Sequence, residues 1–202
     1  MIQGTEEWFK TKRGNIGASR ISDVMAGKET ASRKNYMVSL LVERLTDKQE
    51  ESYTNAAMQW GTDNEPLARS TYEFLTGNKV EEVGFILHPT IERAGASPDG
   101  MVNDDGLIEI KCPNTSTHIE YLDKAVVPTL YKNQMTFQMM CTDRKWCDFV
   151  SFDPRLPVQL QTFIIRYDFD NDLANKIENG VKDFLKELSE LENRMRSKMT
   201  LT

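Results

Sequence analysis

A change in hydrophobic spacing near residue 79 is the feature that most constrains the fold of this chain. Before it, apolar residues recur mainly at the three- and four-residue spacing of helices. From Val80 to Ile110 they come in short runs, separated by His88-Pro89, Pro98-Asp99-Gly100 and Asp104-Asp105-Gly106. Such turn signals are typical of hairpins in an antiparallel or mixed sheet. The segment therefore predicts the strands of a central sheet.

Other segments predict helices and strands around this sheet. The predicted helices are a short one capped by Ser19, then Asn35–Leu45, Trp60–Leu75, Tyr131–Met140 and an amphipathic helix within 168–202, and the further strands are Trp146–Phe152 and Gln161–Tyr167. This order predicts an α/β (α+β) fold with a central mixed β-sheet flanked by helices.

The length of 202 residues favours one domain, 1–202. Within it we expect an N-terminal helical part, 1–78, a sheet core, 79–167, and a C-terminal helix, 168–202. No apolar run approaches the roughly 18–20 residues of a membrane span, and no signal-peptide pattern follows Met1, so we expect a cytoplasmic protein without a membrane partner. Cys112, Cys141 and Cys147 lie at no metal-ligand spacing, which argues against a disulfide framework or a zinc site.

The net charge of -6 argues against a nucleic-acid partner, because polyanions are normally bound by basic surfaces. The charge is unevenly placed, however. Between Lys10 and Lys34 there are seven basic residues and only two acids. Such a cluster is either a solvated helix face or a surface that could line a DNA channel, so the placement of charge decides the question.

Asp99, Glu109 and Lys111 give the strongest chemical signal in the chain. Glu109 lies ten residues after Asp99 and two before Lys111. Residues two apart on a strand share a face, and folding of the hairpin can return Asp99 to Glu109. Two carboxylates, with the main-chain carbonyl of Ile110 as a further ligand, form a natural Mg²⁺ site, and the lysine can orient and help to deprotonate an attacking water. The alternative is a surface hairpin with an ordinary turn and a solvent-facing Glu/Lys pair.

Pro98-Asp99 followed by Glu109-Ile110-Lys111 resembles the PD-(D/E)xK nuclease signature. Together with the flanking segments Trp8–Ser19, Trp60–Glu65 and Ser97–Pro113, it resembles the phage exonuclease and viral recombinase family typified by bacteriophage lambda exonuclease. The resemblance implies a restriction-endonuclease-like core and a Mg²⁺-dependent 5′→3′ exonuclease that digests duplex DNA to mononucleotides and a 3′ overhang. It also implies a homotrimeric ring, a single-strand annealing protein as partner, and a phage or prophage gene acting in a bacterial host. We expect two Mg²⁺ ions, for which Mn²⁺ can substitute.

Carried over by position, the resemblance makes Asp99 and Glu109 metal ligands and Lys111 the residue that serves the attacking water. Glu65 matches an additional active-site acid, and Gln134 matches a helical glutamine beside the site. From the sequence alone, Glu65 is expected in the first turn of its helix, where the alternative role of an acid is to stabilise the helix dipole. The alternative for Gln134 is a polar helix face.

The resemblance also implies a pocket for the 5′-terminal phosphate of the DNA, formed by an arginine, a serine at the position of Ser19, and Ser97. A helix-capping Ser19 behind Lys12 and Arg13 suits a phosphate independently. This chain has Lys12 where the family has arginine, and either Lys12 or Arg13 could bind the phosphate. Met58 matches an apolar wedge that separates the DNA strands, and its alternative is a core methionine.

Two other functions fit the same signature. A repair or restriction endonuclease would cut closed circular duplex, whereas a ring-shaped exonuclease needs a DNA end. A non-catalytic DNA-binding or assembly module would keep the fold without turnover, but the intact Asp99, Glu109 and Lys111 argue against it.

Overall fold

The computed structural model of the chain describes residues 3–49 and 55–199. Its α-helices are α1 (Glu6–Lys12), α2 (Ile21–Val24), α3 (Ala31–Thr46), α4 (Ala56–Thr76), α5 (Thr115–Lys124), α6 (Thr129–Thr142) and α7 (Asn171–Met199). Its strands are β1 (Ile16–Gly17), β2 (Val80–Glu81), β3 (Ile86–Leu87), β4 (Ala94–Ala96), β5 (Gly100–Val102), β6 (Gly106–Lys111), β7 (Trp146–Phe152) and β8 (Thr162–Asp168). Ala18–Arg20 and Val158–Leu160 are 3₁₀ turns.

The central sheet has five strands in the order β2-β5-β6-β7-β8. Its neighbours are antiparallel except for β6 and β7, which are parallel. Ala68 and Tyr72 of α4 pack against Ile108 and Ile110 on one face, whereas Met135 of α6 packs on the other. The predicted mixed sheet flanked by helices is therefore confirmed, and β6 is buried on both faces.

A second, three-stranded sheet has the order β1-β4-β3. Strand β1 runs parallel to β4, with Gly17 opposite Gly95. Because parallel strands run in the same direction, the segments that follow them, with Ser19 and Ser97, leave at the same edge of the sheet. This small sheet packs on a core that α2, α3, α6 and α7 share.

The connection 97–99 differs from the prediction. The sequence predicts hairpins at all three turn signals of the strand cluster. Hairpins join β3 to β4 and β5 to β6, but Pro98 lies where the chain passes from β4 in the small sheet to β5 in the central one. A turn signal marks a break in a strand, and tertiary packing decides whether the chain reverses there or changes sheets.

Helix α4 begins earlier than predicted. Proline is common in the first helical turn, so Pro66 suggested a start near Trp60. Instead, the side chain of Asn55 caps the helix by accepting a hydrogen bond from the Met58 amide, and Pro66 lies inside it. The predicted position of Glu65 in the first turn is therefore wrong.

The remaining elements agree with the prediction to different degrees. Strand β7 has the predicted bounds, and α7 buries the predicted stripe that includes Ile177, Val181 and Phe184. Residues 200–202 of the predicted C-terminal helix lie outside the described residues. Helices α1 and α5 were not predicted. Within 3–49 and 55–199, no helix combines the length and the apolarity that crossing a bilayer requires.

Candidate active site

Asp99 reaches β6 from the start of β5. Gly100 pairs with Ile108, so the residue before it lies beside Glu109, and Asp99 Oδ2 accepts a hydrogen bond from the Ile110 amide at 2.7 Å. A β-carbon at Gly100 would collide with the side chain of Val80, which explains the glycine. Burial, and then the neighbouring Glu109 carboxylate, raise the pKa of Asp99 well above its usual value. The structure thus brings the two predicted acids together.

Glu109 is fully buried on the α6 face of the sheet. Gln134 Nε2 donates to its Oε1 at 2.6 Å, and Gln138 Nε2 donates to its Oε2 at 2.7 Å. Lys111 Nζ also binds Oε1. Burying a carboxylate is costly unless it is paired and hydrogen-bonded, and three donors meet that requirement here. The solvent-facing Glu/Lys pair of the alternative interpretation is therefore wrong.

Lys111 lies between its carboxylate partner and an aromatic ring. Its Nζ is 5.2 Å from the centre of the Tyr131 ring, which stacks on Phe149. Burial alone lowers the pKa of Lys111, but the Glu109 and Asp99 carboxylates outweigh burial and raise it above its usual value. The amine therefore carries a positive charge beside the two acids.

Glu65 faces the same cleft from α4. It lines a cavity of about 400 Å³ with Asp99, Ile110 and Lys111. Arg69, one turn later, donates to Glu65 Oε1 at 2.6 Å. Burial raises the pKa of Glu65, and the charge of Arg69 opposes that effect.

These oxygens fit a hard divalent cation. Asp99 and Glu109 each disfavour the other's negative charge, and a cation between them would relieve that repulsion. Mg²⁺ is commonly held by one or two carboxylates and keeps several waters, so the pair and the Ile110 carbonyl suit it. Among the described residues, no three His, Cys, Asp or Glu side chains are already gathered as a metal-binding group. Glu65, held by Arg69, remains a candidate further ligand.

A smaller cavity of about 230 Å³ joins the predicted phosphate residues to these acids. Lys12, Ser19 and Ser97 line it together with Asp99, Glu109, Lys111 and Gln134. Trp8 Nε1 donates to Ser97 Oγ at 2.8 Å, and Lys12 Nζ lies 4.5 Å from the centre of the Trp8 ring. Trp8, a residue of the family motif, therefore contacts two of the four phosphate candidates, Ser97 and Lys12.

Arg13 has different surroundings. It forms an ion pair with Asp47 at 3.0 Å, and it lines a neighbouring cavity of about 440 Å³, which Lys12 and Ser19 also line. Of the two cations that the sequence left open, the structure places only Lys12 in the cavity that Asp99 and Glu109 line.

Ser19 is not the cap of the short helix, contrary to the prediction. It lies inside the 3₁₀ turn Ala18–Arg20, and Arg20 occupies the N-cap position of α2 without a side-chain cap hydrogen bond. The 3₁₀ turn precedes α2 directly, which moves the cap one residue later. Ser19 still lines the cavity, but its capping argument is lost.

Met58 lies at the mouth of the site. It is 53% exposed and lines both the 400 Å³ and the 440 Å³ cavities. The interpretation of Met58 as a core methionine is therefore wrong.

The basic stretch 10–34 is largely neutralised within the chain. Lys28 and Arg33 both pair with Glu187 of α7, and Lys34 pairs with Glu29. Lys12, Arg13 and Arg20 lie along the 440 Å³ cavity, where Arg13 pairs with Asp47 and Arg20 pairs with Asp23. Only part of the predicted basic surface therefore lies beside the site.

The comparison with protein-family models matches residues 7–145 to the YqaJ-like viral recombinase domain. The chain belongs to this family. The family that the sequence motifs indicated is thereby confirmed. A comparison with curated proteins gives no significant match.

Solved structures support the same assignment. The chain is 51% identical to LHK-Exo in complex with dAMP, with a TM-score of 0.92 over 98% of this chain and 100% of the other. It is 50% identical to the alkaline exonuclease LHK-Exo from Laribacter hongkongensis, with a TM-score of 0.91 over 97% and 98%. A phage-related exonuclease from Haemophilus somnus 129PT shares the fold at 18% identity, with a TM-score of 0.73 over 90% and 96%.

Proposed function

We propose that this protein is a divalent-metal-dependent exonuclease that degrades one strand of linear duplex DNA in the 5′→3′ direction. It releases mononucleotides and leaves a 3′ single-stranded overhang for homologous recombination. The observation that carries the proposal is the single cavity shared by Lys12, Ser19 and Ser97 with Asp99, Glu109 and Lys111. The 51% identity to a protein that binds dAMP, a nucleoside monophosphate, supports it.

Asp99, Glu109 and the Ile110 carbonyl are the proposed Mg²⁺ ligands, and Glu65 binds a second ion or its waters. Mn²⁺ is expected to substitute. Bound Mg²⁺ supplies positive charge for the phosphoryl oxygens and lowers the pKa of coordinated water. The residues of the chain determine where the DNA lies relative to that charge.

Lys111 is proposed to orient the attacking water and to stabilise charge on the phosphate. Glu109 and the Tyr131 ring hold its amine in place, so little conformational freedom is lost when substrate binds. Gln134 lines the same cavity and donates to Glu109 Oε1, the oxygen that Lys111 also binds.

Recognition of the 5′ end gives the proposed direction. A terminal phosphate held by Lys12, Ser19 and Ser97 sets the distance from the DNA end to the scissile bond. Met58 is the proposed wedge that separates the strands before the 5′ strand enters. Lys12 would bind the terminal phosphate as a point charge, because lysine lacks the planar guanidinium with which arginine forms two parallel hydrogen bonds.

The wider setting is proposed from the family. We expect a homotrimeric ring around the duplex, a single-strand annealing protein as partner, and action in the cytoplasm of a bacterial host. These expectations rest on the match over residues 7–145.

The proposal is tested with a linear duplex labelled at one 5′ end. Wild-type protein should release labelled mononucleotide only when Mg²⁺ or Mn²⁺ is present. Lys111→Met should lower the rate by about 100-fold or more, because general acid–base groups typically contribute 10²–10⁴-fold. Lys79→Met, at an exposed lysine outside the site, is the matched control.

Closed circular duplex DNA, which has no end, distinguishes an exonuclease from an endonuclease. Cleavage of the circle by wild-type protein would identify an endonuclease instead. Release of label by Lys111→Met at the wild-type rate would exclude the proposed role of the lysine.

A further inference from the structure

Gln138 is a buried polar residue in a helix segment that is otherwise mostly apolar. Its neighbours Phe137 and Met139 are buried, and Gln138 itself is 0% exposed. Gln134, one turn earlier, lines the cavity of about 230 Å³, whereas Gln138 is not among the residues that line it. Gln138 therefore lies behind Glu109 and cannot touch a substrate.

The nitrogen and the oxygen of the Gln138 side-chain amide differ in their hydrogen bonding. Nε2 donates to Glu109 Oε2 at 2.7 Å. Oε1 is buried and has no hydrogen-bond partner within residues 3–49 and 55–199. A buried amide with an unpaired carbonyl is unfavourable by itself, so packing does not explain the choice of glutamine. The hydrogen bond from Gln138 instead stabilises the buried carboxylate of Glu109.

The two glutamines bind different oxygens of the same carboxylate. Gln134 binds Oε1, which Lys111 also binds, whereas Gln138 is the donor that binds Oε2. Together they fix the plane of the carboxylate. Loss of Gln134 would leave Lys111 on Oε1, whereas loss of Gln138 would leave Oε2 buried without its donor.

We propose that Gln138 is a positioning residue that holds the Glu109 carboxylate in the orientation in which it binds a divalent cation. The proposal rests on the proposed metal-dependent function. Groups that hold a metal ligand in place typically change metal affinity or activity by about 10–100-fold when they are removed.

The test measures cation binding without turnover. Mg²⁺ or Ca²⁺ is titrated calorimetrically into metal-free protein in the absence of DNA. Gln138→Met keeps the length of the side chain and removes the donor, and it should weaken binding by about 10–100-fold. Met139→Leu, a volume-conserving change at the next buried position of α6, should bind like wild type.

Hydrolysis provides a second measurement. The Mg²⁺ concentration for half-maximal activity should rise by a similar factor in Gln138→Met, while KM for DNA at saturating Mg²⁺ stays unchanged. If Gln138→Met does not fold, Gln138→Asn retains an amide that falls one methylene short, and it should show the same rise.

The outcomes separate the two claims. A folded Gln138 variant that is less stable than wild type but has wild-type cation affinity would mean a purely structural role and would overturn the inference alone. Wild-type protein that binds no divalent cation and hydrolyses no DNA would overturn the proposed function and this inference together.

Discussion

Lys12 and Arg13 are neighbours in sequence and both line the 440 Å³ cavity with Ser19, but of the two only Lys12 also lines the 230 Å³ cavity with Ser97, Asp99 and Glu109. Lys12 is the last residue of α1, whereas Arg13 lies just beyond the helix at its C-cap with a non-helical backbone, and the two side chains make different contacts. Lys12 extends across Trp8, whereas Arg13 pairs with Asp47. Burial lowers the pKa of Lys12, and the Glu43 carboxylate partly offsets that change.

We therefore expect Lys12→Ala to remove the preference for phosphorylated ends. Its rate on 5′-phosphorylated duplex should fall about 10–100-fold, the value of one charge-assisted hydrogen bond, while its rate on 5′-hydroxyl duplex changes little. Arg13→Ala should keep the preference. Initial rates on the two duplexes measure it, and a preference lost in Arg13→Ala but kept in Lys12→Ala would reverse the assignment.

At the scale of elements, Arg155 joins three segments that surround the site. Its guanidinium binds both oxygens of Asp153 after β7, donates to the Pro113 carbonyl after β6 at 3.0 Å, and lies 4.4 Å from the centre of the Trp60 ring in α4. Asp153 also accepts a hydrogen bond from Thr115 at the start of α5. This network fixes the exits of the two central strands relative to α4, which carries Glu65 and Met58.

Because of this network, we expect the free energy of unfolding to fall at acid pH. Burial raises the pKa of Asp153, but hydrogen bonds from Arg155 and Thr115 outweigh it and lower the pKa from 3.8 to about 2. A depressed folded-state pKa stabilises the fold above about pH 4 and loses that effect as pH falls toward 2. Asp153→Asn should lower the free energy of unfolding by about 1–3 kcal/mol at pH 7, with a smaller difference from wild type at pH 2.5. Urea unfolding at both pH values measures this, and an equal difference at both would contradict it.

At the scale of the whole molecule, α4 exposes large apolar side chains on its outer side. Phe74 is 87% exposed and Leu67, two turns earlier, is 52% exposed. Exposed apolar patches of this kind often mark contacts between proteins. The proposed homotrimer offers a reason for them.

Light scattering should therefore give three times the chain mass of 23.2 kDa. Phe74→Glu should shift the mass toward that of one chain, because a charge at a buried contact is costly. A single-chain mass for the wild-type protein would rule out the trimer.

The sequence by itself determined the character of the central sheet and the closeness of Asp99, Glu109 and Lys111. Strand alternation places Glu109 and Lys111 on one face, and the hairpin brings Asp99 back to them, because both depend on local period and turn chemistry. Asp99, Glu109 and Lys111 also form the motif that indicated the family. Whether the chain is one domain stays a prediction.

Tertiary structure decided what local pattern cannot encode. Glu65 lies deep in α4 because a cap at Asn55 and packing of Ala68 and Tyr72 outweigh the helix-starting preference of Pro66. Ser97 shares a cavity with Trp8 and Lys12 because β4 pairs with β1, the strand that follows α1, although these segments lie far apart in the chain. Periodicity assigns a residue to a face of its own element. Which elements share a cavity depends on long-range packing, and this is why the sequence left Lys12 and Arg13 open, whereas the structure places only Lys12 of the two in a cavity with Ser97 and Asp99.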